Sequence, residues 1–394
     1  MTSAFRDHLF SNSRSLPFEW LTCLLLVLLA IALNFSALGG DWRWDDSAVL
    51  LHIHSHSFIE HIFSPAAWQE FSASNLMPWM LISYEIDLAL FGLNASLFYL
   101  HQLLALAAAA IALFFLLQLW VKRTPALFSA VLFLVGAPSL VVSQQLMTRH
   151  YVEGLIFSIL SLYCFVSYLR GKRLILLAMS VVLYLLAIVS KEIYVPLAVL
   201  LLFIPESNLR RRFSAALPFF GIVICYALWR RAMLGSFGGG YVELADIFTM
   251  AFLSRVASSF LSFPALLFGS VWPILVSGYV VLLCFYYFHK RVLPVVPVIV
   301  AGLILAPMIP LVVFPGIVVA DRYLLLFWVA LCFSVAIYGA HLFRFLEAQH
   351  FRPVKIVTTL CCALALGLSY FSGARVASTV VATGQQFDVH AAFI

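Results

Sequence analysis

Residues 21–35 read LTCLLLVLLAIALNF, and this stretch decides the fold class because it contains no charged residue. It lies within an apolar run over 19–38, close to the ~20 residues that a helix needs to cross a bilayer. Lipid offers the backbone no hydrogen-bond partners, so such a run crosses a membrane only as a helix. We expect a retained signal anchor here rather than a cleaved signal peptide, since further apolar runs follow.

The composition extends this prediction to the whole chain. Hydrophobic residues make up 64% of the 394 positions and charged residues only 10%, with a mean hydropathy of +1.05. An ordinary globular domain carries about 25% charged residues. The composition excludes a soluble enzyme and predicts one all-α polytopic membrane domain over 1–394, with no soluble domain.

Repeated apolar runs predict about eleven transmembrane helices, which we list together. They cover 19–38, 97–120, 126–143, 151–169, 173–189, 191–205, 213–233, 265–288, 292–314, 321–343 and 354–372. The runs at 173–189 and 191–205 are short and adjoining. All seven cysteines lie in predicted spans, which favours apolar packing over a disulfide framework.

Charges in the loops predict the orientation, because Lys and Arg collect on the cytoplasmic side of a membrane protein. One side holds 15 of the 23 basic and four of the 17 acidic residues, a net charge of +11; the other side has a net charge of −5. This predicts a plasma-membrane (inner-membrane) protein with its N-terminus in the cytoplasm and its C-terminus outside. The overall charge of +6 then reflects topology and gives no reason to expect nucleic acid.

Two segments outside the spans are long enough to carry function. The first outer loop, 39–96, contains two stretches, 46–62 and 76–92, that we expect to form amphipathic helices along the membrane surface. The second, 234–264, begins with three successive glycines followed by Glu243, Asp246 and Arg255. A glycine hinge there suits either a substrate lid or an ordinary flexible connection.

The first outer loop opens with GGDWRWDDSAVL at 39–50, where Asp45 and Asp46 stand side by side just beyond the first span. The pair is either a catalytic carboxylate site at the water interface or solvated loop charge. An aspartate pair could also help to bind Mg²⁺ or Mn²⁺. Four histidines follow, and His52 and His56 have the spacing of two zinc ligands on one helix face. No second Cys/His cluster completes such a site, so we expect no metal cofactor.

A few ionisable residues lie at the predicted outer ends of later spans: Arg149, Glu153, Lys191, Glu192, Asp321 and Arg322. At such depths, charges are costly unless they are paired or face a wet cavity. Mutual pairing, for example of Arg149 with Glu153 one helical turn apart, is one interpretation. Their convergence on a polar, outward-facing region is the other.

Taken in order, these motifs resemble the GT-C superfamily of polytopic glycosyltransferases, which includes protein O-mannosyltransferases and aminoarabinose transferases. The resemblance rests on WDDSAVL after the first span, LFGLN before a helix opened by His101, SKE at 190–192, and DRY with Arg322 and Tyr323. It covers most of the chain as a series of weak motifs. One departure is Met77-Pro78, where relatives carry an Arg-Pro pair, so another basic residue has to supply that contact.

The resemblance implies a GT-C fold and transfer of a sugar, with inversion, from a polyprenyl-phosphate donor on the outer face. A glycan, lipid or protein hydroxyl would be the acceptor. Asp45 would be the base and Asp46 its support; Arg322, Lys191 and Arg149 would bind the donor phosphate. Glu192, His101, Tyr323 and Glu153 would complete the substrate site. Two competing hypotheses are a transporter or flippase of lipid-linked or anionic substrates, and a lipid-linked glycan polymerase or ligase.

Overall fold

The computed structural model describes residues 16–72, 74–237, 249–251, 254, 264–265, 267–290, 320–348 and 352–384. Within these residues the structure is helical and contains no β-strand. The helices are α1 Leu16–Leu33, α2 Asp46–Ser55, α3 Phe58–Phe63, α4 Pro65–Phe71, α5 Pro78–Phe91, α6 Ala95–Leu117, α7 Arg123–Val135, α8 Ala137–Val142, α9 Arg149–Gly171, α10 Leu174–Ser190, α11 Leu197–Leu200, α12 Leu209–Leu234, α13 Trp272–Lys290, α14 Leu325–Ala348 and α15 Arg352–Thr383.

Six helical segments in the described chain are long and apolar enough to cross a membrane, which confirms a membrane-embedded all-α protein. They are Ala95–Leu117, Leu146–Gly171, Leu209–Leu234, Gly269–Lys290, Arg322–Leu346 and Thr358–Thr383. Shorter apolar helices cover Glu19–Leu33, Arg123–Val135, Leu174–Ser190 and Glu192–Phe203. The prediction of eleven spans is therefore not confirmed.

Two predicted spans are interrupted for visible physical reasons. The run 126–143 divides into α7 and α8 at Gly136, because Pro138 lacks the amide proton that would continue α7. The Trp328 indole packs against Gly136 so closely that a methyl group there would overlap it. The run 191–205 consists of short helical pieces around Pro196, whose missing amide proton cannot continue a helix. The predicted span 292–314 lies outside the described residues, as do Glu243, Asp246 and Arg255 of the second outer loop.

The first outer loop folds into four helices, α2 to α5. The predicted helix over 46–62 is interrupted near His56, because Ser57 begins a new helix. The carboxylate of Glu60 accepts hydrogen bonds from the Ser57 backbone amide and hydroxyl, both at 2.7 Å, as in a capping box. The predicted helix over 76–92 corresponds to α5, which begins at Pro78 and ends before Gly92 in a left-handed conformation.

Helix α6 lies at the centre of the bundle. It packs against α1, α7 and α9, and 67% of its most apolar window is buried, against 22% for α12 and for α15. Its run of alanines allows these close approaches. Exposed large apolar side chains on α1, α10, α12 and α15 include Leu24, Ile175 and Leu364, which suits contact with lipid.

The two ends of the bundle carry different polar contacts. At one end, Glu206 accepts from Arg170 at 2.5 Å and from the Trp120 indole at 3.1 Å, which joins three loops rich in basic residues. At the other end, Gly384 after α15 lies against Arg43 and Trp44. The acidic turn that follows α1 and the end of the last described helix therefore meet.

Candidate functional site

The acidic pair lies in a tight turn over 43–46 that gives its two aspartates different environments. The Asp46 carboxylate accepts hydrogen bonds from the Arg43 backbone amide and from the Tyr84 hydroxyl, both at 2.9 Å. Trp44 has a φ of 56°, a left-handed conformation that is costly for a bulky residue. Such a conformation persists only where surrounding contacts enforce it, and here Asp46 closes the turn from inside.

Asp46 is almost completely buried, with 1% of its surface exposed. Burial raises the pKa of this carboxyl to about 7, although the hydrogen bonds from Arg43 and Tyr84 oppose the shift. A group in this position holds the turn together. It is poorly placed to meet an acceptor hydroxyl arriving from solvent.

Asp45 is exposed and precedes the first residue of α2, and it makes no side-chain hydrogen bond that caps this helix. Its carboxylate lies within electrostatic reach of the Arg322 guanidinium. The turn thus separates the pair: Asp46 points into the protein and Asp45 remains accessible. An accessible carboxyl group in this position can meet an acceptor hydroxyl and take part in proton transfer.

Lys191 lies where α10 ends and is buried, with 6% of its surface exposed. Its ammonium contacts the Met77 sulfur at 3.4 Å and lies 5.2 Å from the centre of the Tyr151 ring. Among the described side chains, no carboxylate lies within ion-pair distance of this ammonium. Sulfur and an aromatic face compensate only part of the cost of burying a charge.

Arg322 lies in the 3-10 turn that leads into α14. Its guanidinium makes a hydrogen bond of 3.2 Å to the Tyr323 hydroxyl and lies 3.8 Å from the Met147 sulfur. No ion pair with a described carboxylate holds it either, and it is close enough to Lys191 for the two charges to repel. His150, buried beside Tyr151, lies in the field of both cations. We call His150, Lys191 and Arg322 the cationic cluster.

Close backbone packing brings the cationic cluster together. Gly154 in α9 leaves room for the Tyr194 ring, which a methyl group at this position would overlap. The Tyr194 hydroxyl donates to the Tyr151 carbonyl, so the segment after α10 is fixed against the start of α9. The ring of Tyr151 then meets that of Tyr323 edge to face, with 5.9 Å between centroids.

In a second group of charges, which begins at Arg149, each charged side chain lies close to one of opposite sign. Arg149 is completely buried and makes an ion pair of 2.6 Å with Asp87 of α5. Its guanidinium also donates to the Phe98 carbonyl at 3.1 Å and lies over the Tyr84 ring. The interpretation of an Arg149–Glu153 ion pair is wrong, since the partner of Arg149 is Asp87.

The same group extends to His101, which lies 2.8 Å from Asp87 and 3.5 Å from Glu153. Glu153 accepts hydrogen bonds from the Ser83 hydroxyl at 2.7 Å and from the Trp79 indole at 3.0 Å. We call Asp87, His101, Arg149 and Glu153 the ion-pair network. It joins α5, α6 and α9 and contacts Asp46 through Tyr84.

Glu192 does not neutralise its neighbour Lys191. One of its oxygens accepts from Arg230 of α12 at 2.7 Å, from the Leu76 amide at 3.1 Å and from the Tyr226 hydroxyl at 3.2 Å. These contacts attach the first outer loop to α12. Glu192 therefore has a bonded partner of its own, and although it acts on Lys191 electrostatically, it forms no ion pair with it; nor does any other described carboxylate.

The histidines of the first outer loop stack on one another. The His52 ring lies 4.4 Å from His56 and 5.1 Å from His61, and His61 is held by Glu85 at 2.9 Å. Burial and the two neighbouring rings lower the pKa of His52 to about 4. Within the described part of the chain, no three His, Cys, Asp or Glu side chains converge on a metal position.

The structure therefore divides the predicted site residues. Asp45, Lys191, Arg322 and Tyr323 lie around one polar region, whereas Arg149, Glu153 and His101 belong to the ion-pair network. Sequence reasoning missed Asp87, Tyr84, Arg230 and His150. A carboxylate in the apolar stretch SYEIDLAL was a usable signal for Asp87. Nothing in the local sequence marked Tyr84 as the partner of Asp46, which lies 38 residues away.

Comparison with protein-family models finds no match for this chain, and comparison with curated proteins finds no similar one.

Proposed function

We propose that this protein is an inverting glycosyltransferase that moves a sugar from a polyprenyl-phosphate donor to a hydroxyl acceptor at the membrane surface. The observation that carries the proposal is an exposed carboxylate, Asp45, within electrostatic reach of Arg322, which is half-buried and neighbours the buried Lys191. Neither cation forms an ion pair with a described carboxylate. An uncompensated charge at a helix end within the membrane costs on the order of several kcal/mol. An anionic ligand would remove that cost.

The donor phosphate fits the cationic cluster by charge and by shape. Arg322 offers a planar fork of N–H donors that matches phosphate oxygens, and Lys191 adds a compact charge. Lys191 also lies against Met77, the position where the resembling proteins carry arginine before proline. A lysine from the end of α10 thus supplies the cation that the sequence motif lacks at 77.

Asp45 and the cationic cluster then take different parts in the reaction. The acceptor oxygen attacks the anomeric carbon as the bond from that carbon to the phosphate oxygen breaks, and the bonding electron pair leaves with the phosphate. Asp45 takes the acceptor proton, and Lys191 and Arg322 stabilise the charge that develops on the leaving group. Asp46 contributes by closing the turn that holds Asp45 outward.

Sugar transfer in detergent tests the proposal. Purified protein is given a polyprenyl phosphate carrying radiolabelled sugar, together with an acceptor fraction from the cell envelope. The expected result is label in the acceptor and free polyprenyl phosphate, with Asp45→Asn as the inactive control. A lipid-linked sugar that crosses liposome membranes with its glycosidic bond intact, in the absence of transfer, would instead establish the transporter.

A further inference from the structure

His150 is a buried histidine whose ring is incompletely satisfied by the described residues. Only 3% of its surface is exposed, and neither ring nitrogen has a well-aligned hydrogen-bond partner among them. The Met147 carbonyl interacts with the ring outside good hydrogen-bond geometry, so at least one ring nitrogen lacks a described partner. A buried polar group without a partner typically costs about 1–3 kcal/mol, so its presence calls for an explanation.

Among the described side chains, the charged groups that act on His150 are both cations. Lys191 and Arg322 both act on the ring electrostatically, and the Tyr151 ring lies 4.6 Å away. The carboxylates nearest along α9 and α5, Glu153 and Asp87, are bonded within the ion-pair network. The partner that suits all three groups at once is an anion with several acceptor oxygens.

We infer that His150 is a third ligand of the phosphate and donates a ring N–H to a phosphate oxygen that Lys191 and Arg322 do not satisfy. The inference rests on the proposed function for the identity of the ligand as a polyprenyl phosphate. The neutral imidazole suffices, since one ring nitrogen always carries a proton. No group is transferred in this step: the imidazole holds its proton and shares it with the leaving oxygen.

Binding without catalysis tests this role. Calorimetry in detergent compares three probes: a short-chain polyprenyl phosphate, the same alcohol without phosphate, and inorganic phosphate. Wild-type protein should bind the first probe and not the alcohol; binding of inorganic phosphate alone would identify a free-phosphate site. His150→Phe, which keeps ring volume and removes both nitrogens, should weaken binding about 10- to 100-fold, as expected of a hydrogen bond to a charged group.

Two further variants separate a lost contact from a disturbed fold. His150→Gln retains an N–H donor and should recover part of the affinity. Ser158→Ala serves as the matched control, because Ser158 is also a buried polar residue of α9 without a hydrogen-bond partner. Its affinity should equal that of the wild type. Equal affinity in His150→Phe and wild type would overturn the inference.

A measurement on the unmodified protein covers the case in which His150→Phe fails to fold. Histidine labelled with nitrogen-15 reports the ring nitrogens directly, and the His150 signals are assigned by their loss in His150→Gln. Polyprenyl phosphate should shift them, and unchanged signals at saturation would contradict the inference. Phosphate binding that depends on His150 in a protein without transferase activity would refute the proposed function alone.

Discussion

Arg149 and His150 are consecutive residues, yet they belong to opposite kinds of polar environment. Arg149 is buried with an acid at 2.6 Å, and the acids around it are in turn bonded to serine, tryptophan and histidine. His150 is buried without a well-aligned hydrogen-bond partner in the described part of the chain, and it lies in the field of two cations. At the first turn of α9, the ion-pair network therefore adjoins the cationic cluster. The network has its own acids, whereas the proposed function supplies the cluster with an external anion.

This difference distinguishes charged side chains that stabilise the fold from charged side chains that are available to a ligand. A buried ion pair whose members are all bonded costs little further and resists disruption. Buried cations without acids remain costly until a ligand binds, and this energy can be used to hold a phosphate. The proposed function therefore assigns Arg149 to positioning α5 and α9, and assigns Lys191 and Arg322 to binding the donor phosphate.

The largest expected effect tests the ion-pair network. Arg149→Met should destabilise the protein by about 3–5 kcal/mol, because it leaves the Asp87 carboxylate buried without its cation. Adding Asp87→Leu should recover much of that loss by removing the stranded charge. Thermal unfolding in detergent measures both. A stable Arg149→Met protein that no longer binds polyprenyl phosphate would place Arg149 in the substrate site instead.

The next effect concerns Arg322, where we expect loss of activity without loss of stability. Arg322→Ala should lower transfer about 10- to 100-fold, since a hydrogen bond to a charged group is worth about 1.5–3 kcal/mol. Arg322→Lys should recover only part, because an ammonium lacks the planar fork. Arg231→Ala removes an exposed arginine from α12 and serves as the control. Wild-type turnover in Arg322→Ala would show that the cation is idle.

A smaller effect should appear in the pH dependence of the free energy of unfolding, through Asp46 in the turn over 43–46. The pKa of Asp46 is raised to about 7, so the fold favours its protonated form. Its contribution to stability is therefore complete below its ordinary pKa of 3.8 and is lost as the pH rises through about 7. Asp46→Asn should flatten this trend.

Unfolding temperatures at about pH 6 and about pH 8 measure this loss. His52, whose pKa is lowered from 6.5 to about 4, gives the opposite trend up to its ordinary pKa of 6.5, so it acts within part of this range. The contribution of Asp46 is therefore read from the difference in slope between wild type and Asp46→Asn, which share His52. Equal slopes in the two proteins would show that Asp46 is ionised in the turn.

Much of the fold could be predicted because lipid imposes a simple rule on sequence. Runs such as 97–120 and 213–233 correspond to helices whose ends lie within a few residues of the prediction. The division at Gly136 had a local signal, since Gly136 and Pro138 both disfavour a continuous helix there. The close packing of Trp328 on Gly136 could not be predicted, because it joins positions almost 200 residues apart through tertiary structure, which hydropathy does not record.

The candidate site shows the same limit. The sequence predicts Asp45, Lys191, Arg322 and Arg149 at helix ends, but it does not distinguish paired charges from unpaired ones, because each is a charged residue beside an apolar run. The distinction depends on their bonded partners. Folding brings Asp87 to Arg149 and Tyr84 to Asp46. The two adjacent aspartates likewise look equivalent until the turn at Trp44 separates them.

The most direct test of the central claim compares two isosteric variants, Asp45→Asn and Asp46→Asn, by transfer of radiolabelled sugar from a polyprenyl phosphate. Asp45→Asn should fold normally and lose roughly two orders of magnitude in turnover, as expected for loss of a positioned general base. Asp46→Asn should retain most activity, since asparagine is the same size as the neutral carboxyl that burial favours. Near-normal transfer by Asp45→Asn would contradict the carboxylate-base mechanism and leave the pair as loop charge.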